Sequence, residues 1–358
     1  MKKYMFFYLL LFLFPLSAFA SDTAFSSVVI DMDSGRILYQ NNKDEKRLIA
    51  SITKIMTAVI AIENKNLNDI VTVGDEVLSM YGSNIYLEVG EKITLRDLLY
   101  GLILRSGNDA AVVIAKYVAG SEEKFVNLMN LKAKKIGMVN TTFKNPHGLD
   151  EETQNYSTAY DMALLMRYAS SLMDFVEISG TKKWSTSTNK KSYIWYNRNK
   201  FLTEYKYATG GKTGYTPKAG KTLVSTARKN DLDLIAVSLK DSNHYDSQKE
   251  LFENIYSKYK KVLIIDKNNI NLSNSKYKNL YVDYNFYYPL KKNEINDIKI
   301  NVDLYDIDEY SNNRKVGEIY VLFKDDEIYR ENIYIKKRKE KNNKSFISKV
   351  IDFFSSIF

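Results

Sequence analysis

The 358-residue sequence predicts two folded parts. The first is an α/β domain of the α+β kind, with a largely antiparallel sheet and a helical subdomain. The second is a small all-β domain. Three observations predict this. Strand-like segments stand at both ends of residues 21–262, helical periodicity fills the middle, and beyond Ile264 the composition turns to Asn, Lys, Tyr and Ile with alternating apolar positions. The length exceeds one usual compact domain, and an apolar fraction of 45% supplies enough material for a core.

Taken in order, residues 1–20 combine Lys2 and Lys3, an apolar run from Tyr4 to Leu16, and Ala18-Phe19-Ala20. That is the pattern of a cleaved export signal, too short in its apolar part to span a bilayer. Val28 to Ile30 and Ile37 to Tyr39 flank a Gly-containing turn and predict a hairpin. Ile52, Ile55, Met56, Val59 and Ile60 then recur at helical spacing, which puts Ser51 at a helix start. Thr94 to Ala119 is helical with an interruption at residues 105–109, and Glu122 to Lys135 is helical again. Leu223 to Ala227 and Leu232 to Leu239 predict a second hairpin, and a helix over Tyr245 to Lys261 closes the domain. In the tail, Tyr281 to Tyr287, Ile298 to Tyr305, Gly317 to Phe323 and Glu327 to Ile335 alternate as strands.

Composition narrows the chemistry. There is no Cys, so disulfides and thiolate catalysis are excluded, and with only His147 and His244 a zinc site has too few soft ligands. No cofactor is implied. The net charge of +9 raises the question of nucleic acid, but for an exported chain the relevant anions are lipid head groups and wall polymers. Gly211-Lys212-Thr213 and Gly220-Lys221-Thr222 each contain a fragment of a nucleotide-binding loop. The required first Gly is replaced by Lys206 and Tyr215, which removes that reading.

Ser51-Ile52-Thr53-Lys54 places a hydroxyl and an amine on one helix face, a geometry suited to proton abstraction once burial lowers the lysine pKa. The spacing alone is uninformative, because Ser121/Lys124, Ser179/Lys182, Ser187/Lys190, Ser257/Lys260, Ser273/Lys276 and Ser275/Lys278 share it. In isolation Ser51 reads as a helix N-cap. Context selects it: only Ser51 opens a strongly apolar helix and is followed at domain-scale distances by Ser106-Gly107-Asn108 and by Lys212-Thr213-Gly214. The first of these puts a hydroxyl and an amide at a helix break. The second puts a cation and a hydroxyl on a strand whose Gly lets a ligand backbone approach.

Ser-x-x-Lys, Ser-x-Asn and Lys-Thr-Gly in this order make the chain resemble the D-alanyl-D-alanine carboxypeptidases among the low-molecular-mass penicillin-binding proteins. The likeness extends to Asp97-Leu98-Leu99-Tyr100-Gly101-Leu102, Asp109-Ala110-Ala111 and His147-Gly148-Leu149-Asp150, and covers residues 23–262 strongly. The resemblance implies a penicillin-recognising, β-lactamase-like serine transferase fold. It also implies a peptidoglycan stem peptide as substrate and β-lactams as ligands. By the same resemblance Ser51 is the nucleophile, Lys54 its base, Ser106 and Asn108 the relay to the leaving D-alanine, and Lys212 and Thr213 the carboxylate holders. Gly214 and Tyr215 complete the binding strand, and the N–H groups of Ser51 and Tyr215 form the oxyanion hole. Tyr215 stands where some members carry His, so its side chain receives no role. His147 reads as a loop-ordering residue rather than the base of a triad with Asp150.

Finally, Lys336-Lys337-Arg338-Lys339 precedes a segment, residues 341–358, whose Phe346, Ile347, Val350, Ile351, Phe353, Phe354, Ile357 and Phe358 fall on one helical face. This predicts a peripheral contact with the outer face of the cytoplasmic membrane.

Overall fold

The computed structural model describes residues 23–270, 272, 277, 279–306 and 313–335. The expected export signal, the Lys336–Lys339 run and the amphipathic segment 341–358 lie outside these residues. The chain divides into two compact units between Ser257 and Lys258.

The first unit begins with β1 (Ser26–Asp31) and β2 (Ile37–Asn41), the expected hairpin. Helices follow: α1 (Lys54–Asn64), α2 (Leu95–Leu104), α3 (Asn108–Ala119), α4 (Glu122–Lys135), α5 (Ala159–Ala169) and α6 (Met173–Gly180). A hairpin of β3 (Lys183–Ser187) and β4 (Ser192–Tyr196) leads to β5 (Ala208–Thr216), β6 (Gly220–Lys229) and β7 (Leu232–Leu239), and α7 (His244–Lys258) ends the unit. The five-stranded sheet runs in the order β2-β1-β7-β6-β5, with every neighbouring pair antiparallel.

Helix boundaries follow local chemistry. Thr94 caps α2 through the N–H of Asp97, Ser121 caps α4 through Lys124, and Thr158 caps α5 through Asp161. Ser121 thus spends its hydroxyl on a cap, which disposes of one of the Ser-x-x-Lys decoys. In α1 the residues from Lys54 to Ala61 are all buried, so this helix is apolar on every side and forms the centre of the core. Its only charged group inside that core is Lys54.

Three expectations need correction. Ser51 does not open the α-helix: it lies in a 3₁₀ turn, Ala50–Thr53, and α1 starts at Lys54. Ile49 occupies the cap position and no side chain caps the turn, so Ser51 is not an N-cap serine. The helix expected to reach Lys261 ends at Lys258, where β8 (Tyr259–Ile265) begins, because the run Val262-Leu263-Ile264-Ile265 favours strand. The strand expected over Tyr281 to Tyr287 is broken into β9 (Leu280–Tyr281) and β10 (Phe286–Lys291).

The second unit contains β8 to β10 together with β11 (Ile298–Leu304), β12 (Arg314–Phe323) and β13 (Asp326–Ile335). Four strands form one sheet in the order β9-β13-β12-β11, and β8 pairs with β10. Val282, Val316, Ile319, Val321 and Ile333 supply its core. Among the described residues no helix is long and apolar enough to cross a membrane.

Candidate active site

Sheet order decides where the site is. β5 is one of the two edge strands, paired with β6, and the Ser51 turn packs on the sheet face that Gly214 of β5 and Thr222 of β6 share. A Cβ added to Gly214 would stand 2.8 Å from the backbone nitrogen of Ser51, so only glycine lets strand and turn approach this closely. Thr222 of β6 donates to the carbonyl of Ile49 at 3.1 Å and pins the turn to the sheet.

The turn is held in an unusual backbone shape. Ala50 adopts φ 49°, a left-handed value that non-glycine residues rarely take, and Ser106 adopts φ 62°. Gly148, at φ 89°, packs so closely on Ala50 that an added Cβ would lie 2.0 Å from its carbonyl oxygen. Strained backbone thus flanks one candidate serine and contains the other.

Lys54 is fully buried, and its Nζ has three oxygen neighbours: Ser51 Oγ at 3.0 Å, Asn108 Oδ1 at 2.8 Å and the His147 carbonyl at 2.5 Å. Burial pulls its pKa well below the ordinary lysine value, and the positive charge of Lys212 adds to this. The Asp109 carboxylate opposes it. Asn108 is fixed from its other end, donating through Nδ2 to the carbonyl of Tyr81 at 2.6 Å.

Lys212, on β5, repeats the arrangement. It is 2% exposed and donates to Ser106 Oγ at 3.1 Å and to the Thr213 carbonyl at 2.7 Å. Burial, then the charge of Arg198, lowers its pKa to about 7. The structure therefore brings Ser51, Lys54, Ser106, Asn108, Lys212, Thr213, Gly214 and Tyr215 to one place. Ser51, Ser106, Thr213, Gly214 and Tyr215 line a single cleft of about 400 Å³, while Lys54, Asn108 and Lys212 stand beneath it. The Tyr215 side chain is exposed.

Sequence reasoning missed several groups. Arg198, Ser83, Lys221 and His244 also line the cleft, and among the described residues no carboxylate does. Arg198 donates to Ser83 Oγ at 2.6 Å, and its backbone N–H donates to the Leu104 carbonyl at 3.0 Å, just before the Ser106 break. Asp109 was noticed only as part of a recurring segment. Its buried carboxylate accepts the N–H groups of Ile85 and Leu87, each at 3.1 Å, and so ties the 81–88 loop to α3. His147 contributes its main chain to Lys54. Its ring Nδ1 accepts the Leu149 N–H at 3.1 Å, burial lowers its pKa to about 3, and the Asp150 carboxylate bonds to Thr216 instead. A Ser-His-Asp triad is not assembled here.

Residues 17–243 match the D-alanyl-D-alanine carboxypeptidase family. The chain belongs to this family. Within it the chain is 40% identical over 218 residues to DacF of Bacillus subtilis, a D-alanyl-D-alanine carboxypeptidase, covering 59% of this chain and 56% of that protein. It is 39% identical over 249 residues to DacC of Escherichia coli, covering 64% and 61%. The matched part is thus less than two thirds of these relatives' own length. Among solved structures, penicillin-binding protein 5 of Haemophilus influenzae is 27% identical with a TM-score of 0.72, covering 88% of this chain and 96% of that one. Penicillin-binding protein 6B of Escherichia coli is 31% identical with a TM-score of 0.68, covering 86% and 94%. These neighbours share the penicillin-recognising architecture, an antiparallel sheet flanked by helices.

Proposed function

We propose that the protein is a serine-type D-Ala-D-Ala carboxypeptidase that removes the terminal D-alanine of peptidoglycan stem pentapeptides and is acylated by β-lactams. The observation that carries this reading is the buried Lys54 amine shared by three oxygens. Asn108 Oδ1 and the His147 carbonyl can only accept, so a neutral amine spends both N–H groups on them. Its lone pair then faces Ser51 Oγ. Burial, then the charge of Lys212, lowers its pKa and so favours that neutral form.

In this reading Lys54 takes the Ser51 proton as Oγ attacks the carbonyl carbon of the bond between the two D-alanines. Charge develops on the carbonyl oxygen, opposite the N–H groups of Ser51 and Tyr215, whose strand and turn Gly214 holds in contact. Loss of one such donor typically costs about 3 kcal/mol. As the C–N bond breaks, Ser106, its hydroxyl held by Lys212, passes its proton to the departing amine and takes up the one that Lys54 removed from Ser51, which returns Lys54 to a neutral amine. The D-alanine carboxylate lies with Lys212, Thr213 and Arg198, in a cleft that no acidic side chain lines among the described residues. Water, deprotonated by the neutral Lys54, then attacks the Ser51 ester, and Lys54 returns that proton to Oγ as the acyl–oxygen bond breaks.

Placement follows from the same reading. We infer export through residues 1–20, a catalytic part over 21–262, a β-rich part over 263–340 and a peripheral membrane contact by residues 341–358. The supports are the cleavage pattern at Ala18-Phe19-Ala20 and the cationic run before an amphipathic face. One solved neighbour is a mutant of the Streptomyces K15 DD-transpeptidase, 29% identical with a TM-score of 0.63. An amine in place of water as acyl acceptor is accordingly the second reading. Mass spectrometry of products from a stem pentapeptide separates the two: the carboxypeptidase gives tetrapeptide and free D-alanine, and a product joined to a second peptide identifies a transpeptidase. An intact pentapeptide contradicts both.

A further inference from the structure

The His147 carbonyl that accepts from Lys54 belongs to a loop, residues 144–149, built around one buried side chain. Asn145, 1% exposed, accepts the N–H groups of His147 at 3.3 Å and Gly148 at 2.6 Å through Oδ1, and donates through Nδ2 to the Leu149 carbonyl at 2.9 Å. Asn155, also buried, runs alongside as a neighbouring strand would. Its Oδ1 accepts the N–H groups of Lys144 at 2.6 Å and Asn145 at 3.1 Å, and its Nδ2 donates to the Asn145 carbonyl at 3.0 Å. The same Nδ2 reaches out of the loop and donates to Thr53 Oγ1 at 3.0 Å.

Thr53 precedes Lys54, so this bond ties the loop to the turn that carries Ser51 and its base. Thr57, one helical turn further on, donates to the Pro146 carbonyl at 2.6 Å. Thr53, Lys54 and Thr57 thus meet the loop along one side of α1, and all three are fully buried. The bond from Lys54 takes part in the chemistry, whereas Asn145, Asn155, Thr53 and Thr57 are not among the described residues that line the cleft. With both N–H groups of the neutral amine accepted, by Asn108 and by His147, the lone pair is left for Ser51. Without the His147 carbonyl one N–H is freed, and Ser51 Oγ is the acceptor within its reach. The base then becomes a donor.

We propose that Asn155 is a positioning residue for the reaction at Ser51: by joining Asn145 to Thr53 it holds the His147 carbonyl against the Lys54 amine and aims the lone pair at the nucleophile. The inference rests on the carboxypeptidase reading and adds to it a group that touches neither substrate nor the reacting atoms. An amide is required at this position. Its oxygen accepts from two main-chain N–H groups while its nitrogen donates to a hydroxyl and a carbonyl. A carboxylate supplies only the first function, and an apolar side chain supplies neither and leaves buried main-chain groups unpaired. Because the frame acts on the base and not on the substrate, its loss falls on kcat. The same base serves acylation and deacylation, so the loss is seen whichever step limits turnover.

The test cuts the Thr53–Asn155 bond from both ends in the full chain. Thr53→Val removes the acceptor at nearly constant volume, Thr53→Ser keeps it, and Asn155→Asp removes the donor. kcat and KM are measured by D-alanine release from a stem pentapeptide, per mole of enzyme folded by near-ultraviolet circular dichroism. Thr53→Val is expected to lose about tenfold in kcat at unchanged KM, the scale of one buried hydrogen bond, while Thr53→Ser stays within about twofold of the native protein. Asn155→Asp, which also loses its bond to the Asn145 carbonyl, falls by about 10²-fold. The double variant, Thr53→Val with Asn155→Asp, falls no further than Asn155→Asp alone. Native kcat in Thr53→Val overturns the proposal, and so does a loss carried by KM, an equal loss in Thr53→Ser, or losses that multiply in the double variant. Where Asn155→Asp does not fold, the two Thr53 variants decide alone. If the native protein releases no D-alanine, the carboxypeptidase reading fails, and the rate of Ser51 acylation by labelled penicillin in the same variants decides the role of Asn155.

Discussion

The cleft contains the same chemical pair twice, and the two copies are built in opposite ways. Ser51 and Lys54 stand 3.0 Å apart because a single 3₁₀-to-α turn carries both. Ser106 and Lys212 stand 3.1 Å apart because a helix break and an edge strand, 106 residues away in the chain, are brought together by the sheet. The first amine has acceptors on two sides and a serine on the third. The second touches a serine and its neighbour's carbonyl and lies under the field of Arg198. Proton abstraction belongs to the pair whose lone pair is directed at the hydroxyl, and proton delivery with carboxylate binding to the pair set among cations.

The comparison is most sharply broken at the hydroxyls. Ser51→Ala removes the acylation site and lowers kcat/KM for pentapeptide by about 10⁴-fold or more. Ser106→Ala leaves the nucleophile and lowers it by only about 10²-fold, measured side by side in one D-alanine release assay. Equal losses would mean that the two pairs are not divided as described. At the amines, Lys54→Ala is expected to cost on the order of 10³-fold in kcat, whereas Lys212→Ala acts more strongly on KM.

Titration sharpens the contrast. kcat/KM rises with pH as Lys54 loses its proton. The Asp109 charge raises the Lys54 pKa, so Asp109→Asn moves this acid limb to lower pH in a pH–rate profile. Stability follows the same sign logic. Lys212 has a folded pKa of about 7, whereas in the unfolded chain a lysine stays protonated to about pH 10.4. Between those values the unfolded state binds more protons, and stability rises with pH. Lys212→Met should flatten that slope, seen as a smaller difference between urea midpoints at neutral and mildly alkaline pH. At the backbone, Gly148→Ala at φ 89° against the Ala50 carbonyl should destabilise by about 3 kcal/mol or more in urea melts.

The same contrast explains what was legible in the sequence. Ser51 and Lys54 could be found because their proximity is a matter of spacing, although six other pairs share that spacing. Ser106, Asn108 and Lys212 could be found only as fragments in order, since the sheet register that lowers Lys212 onto Ser106 leaves no local mark. Arg198 stayed hidden because it reaches the cleft through a backbone bond to Leu104, a tertiary contact. The His147 carbonyl was invisible for another reason: a main-chain acceptor is independent of side-chain type. Likewise, periodicity located α3 and α4 closely but placed Ser51 at the start of α1. The left-handed Ala50 that diverts the chain into a 3₁₀ turn is imposed by Gly148 and β6, both distant in sequence.

The account depends most directly on Ser51 as the acylated residue. Intact-mass spectrometry after incubation with labelled penicillin, followed by peptide mapping, tests it. One adduct is predicted, on the peptide containing Ser51 and absent from Ser51→Ala. An adduct on any other peptide, or one that persists in that variant, would contradict it.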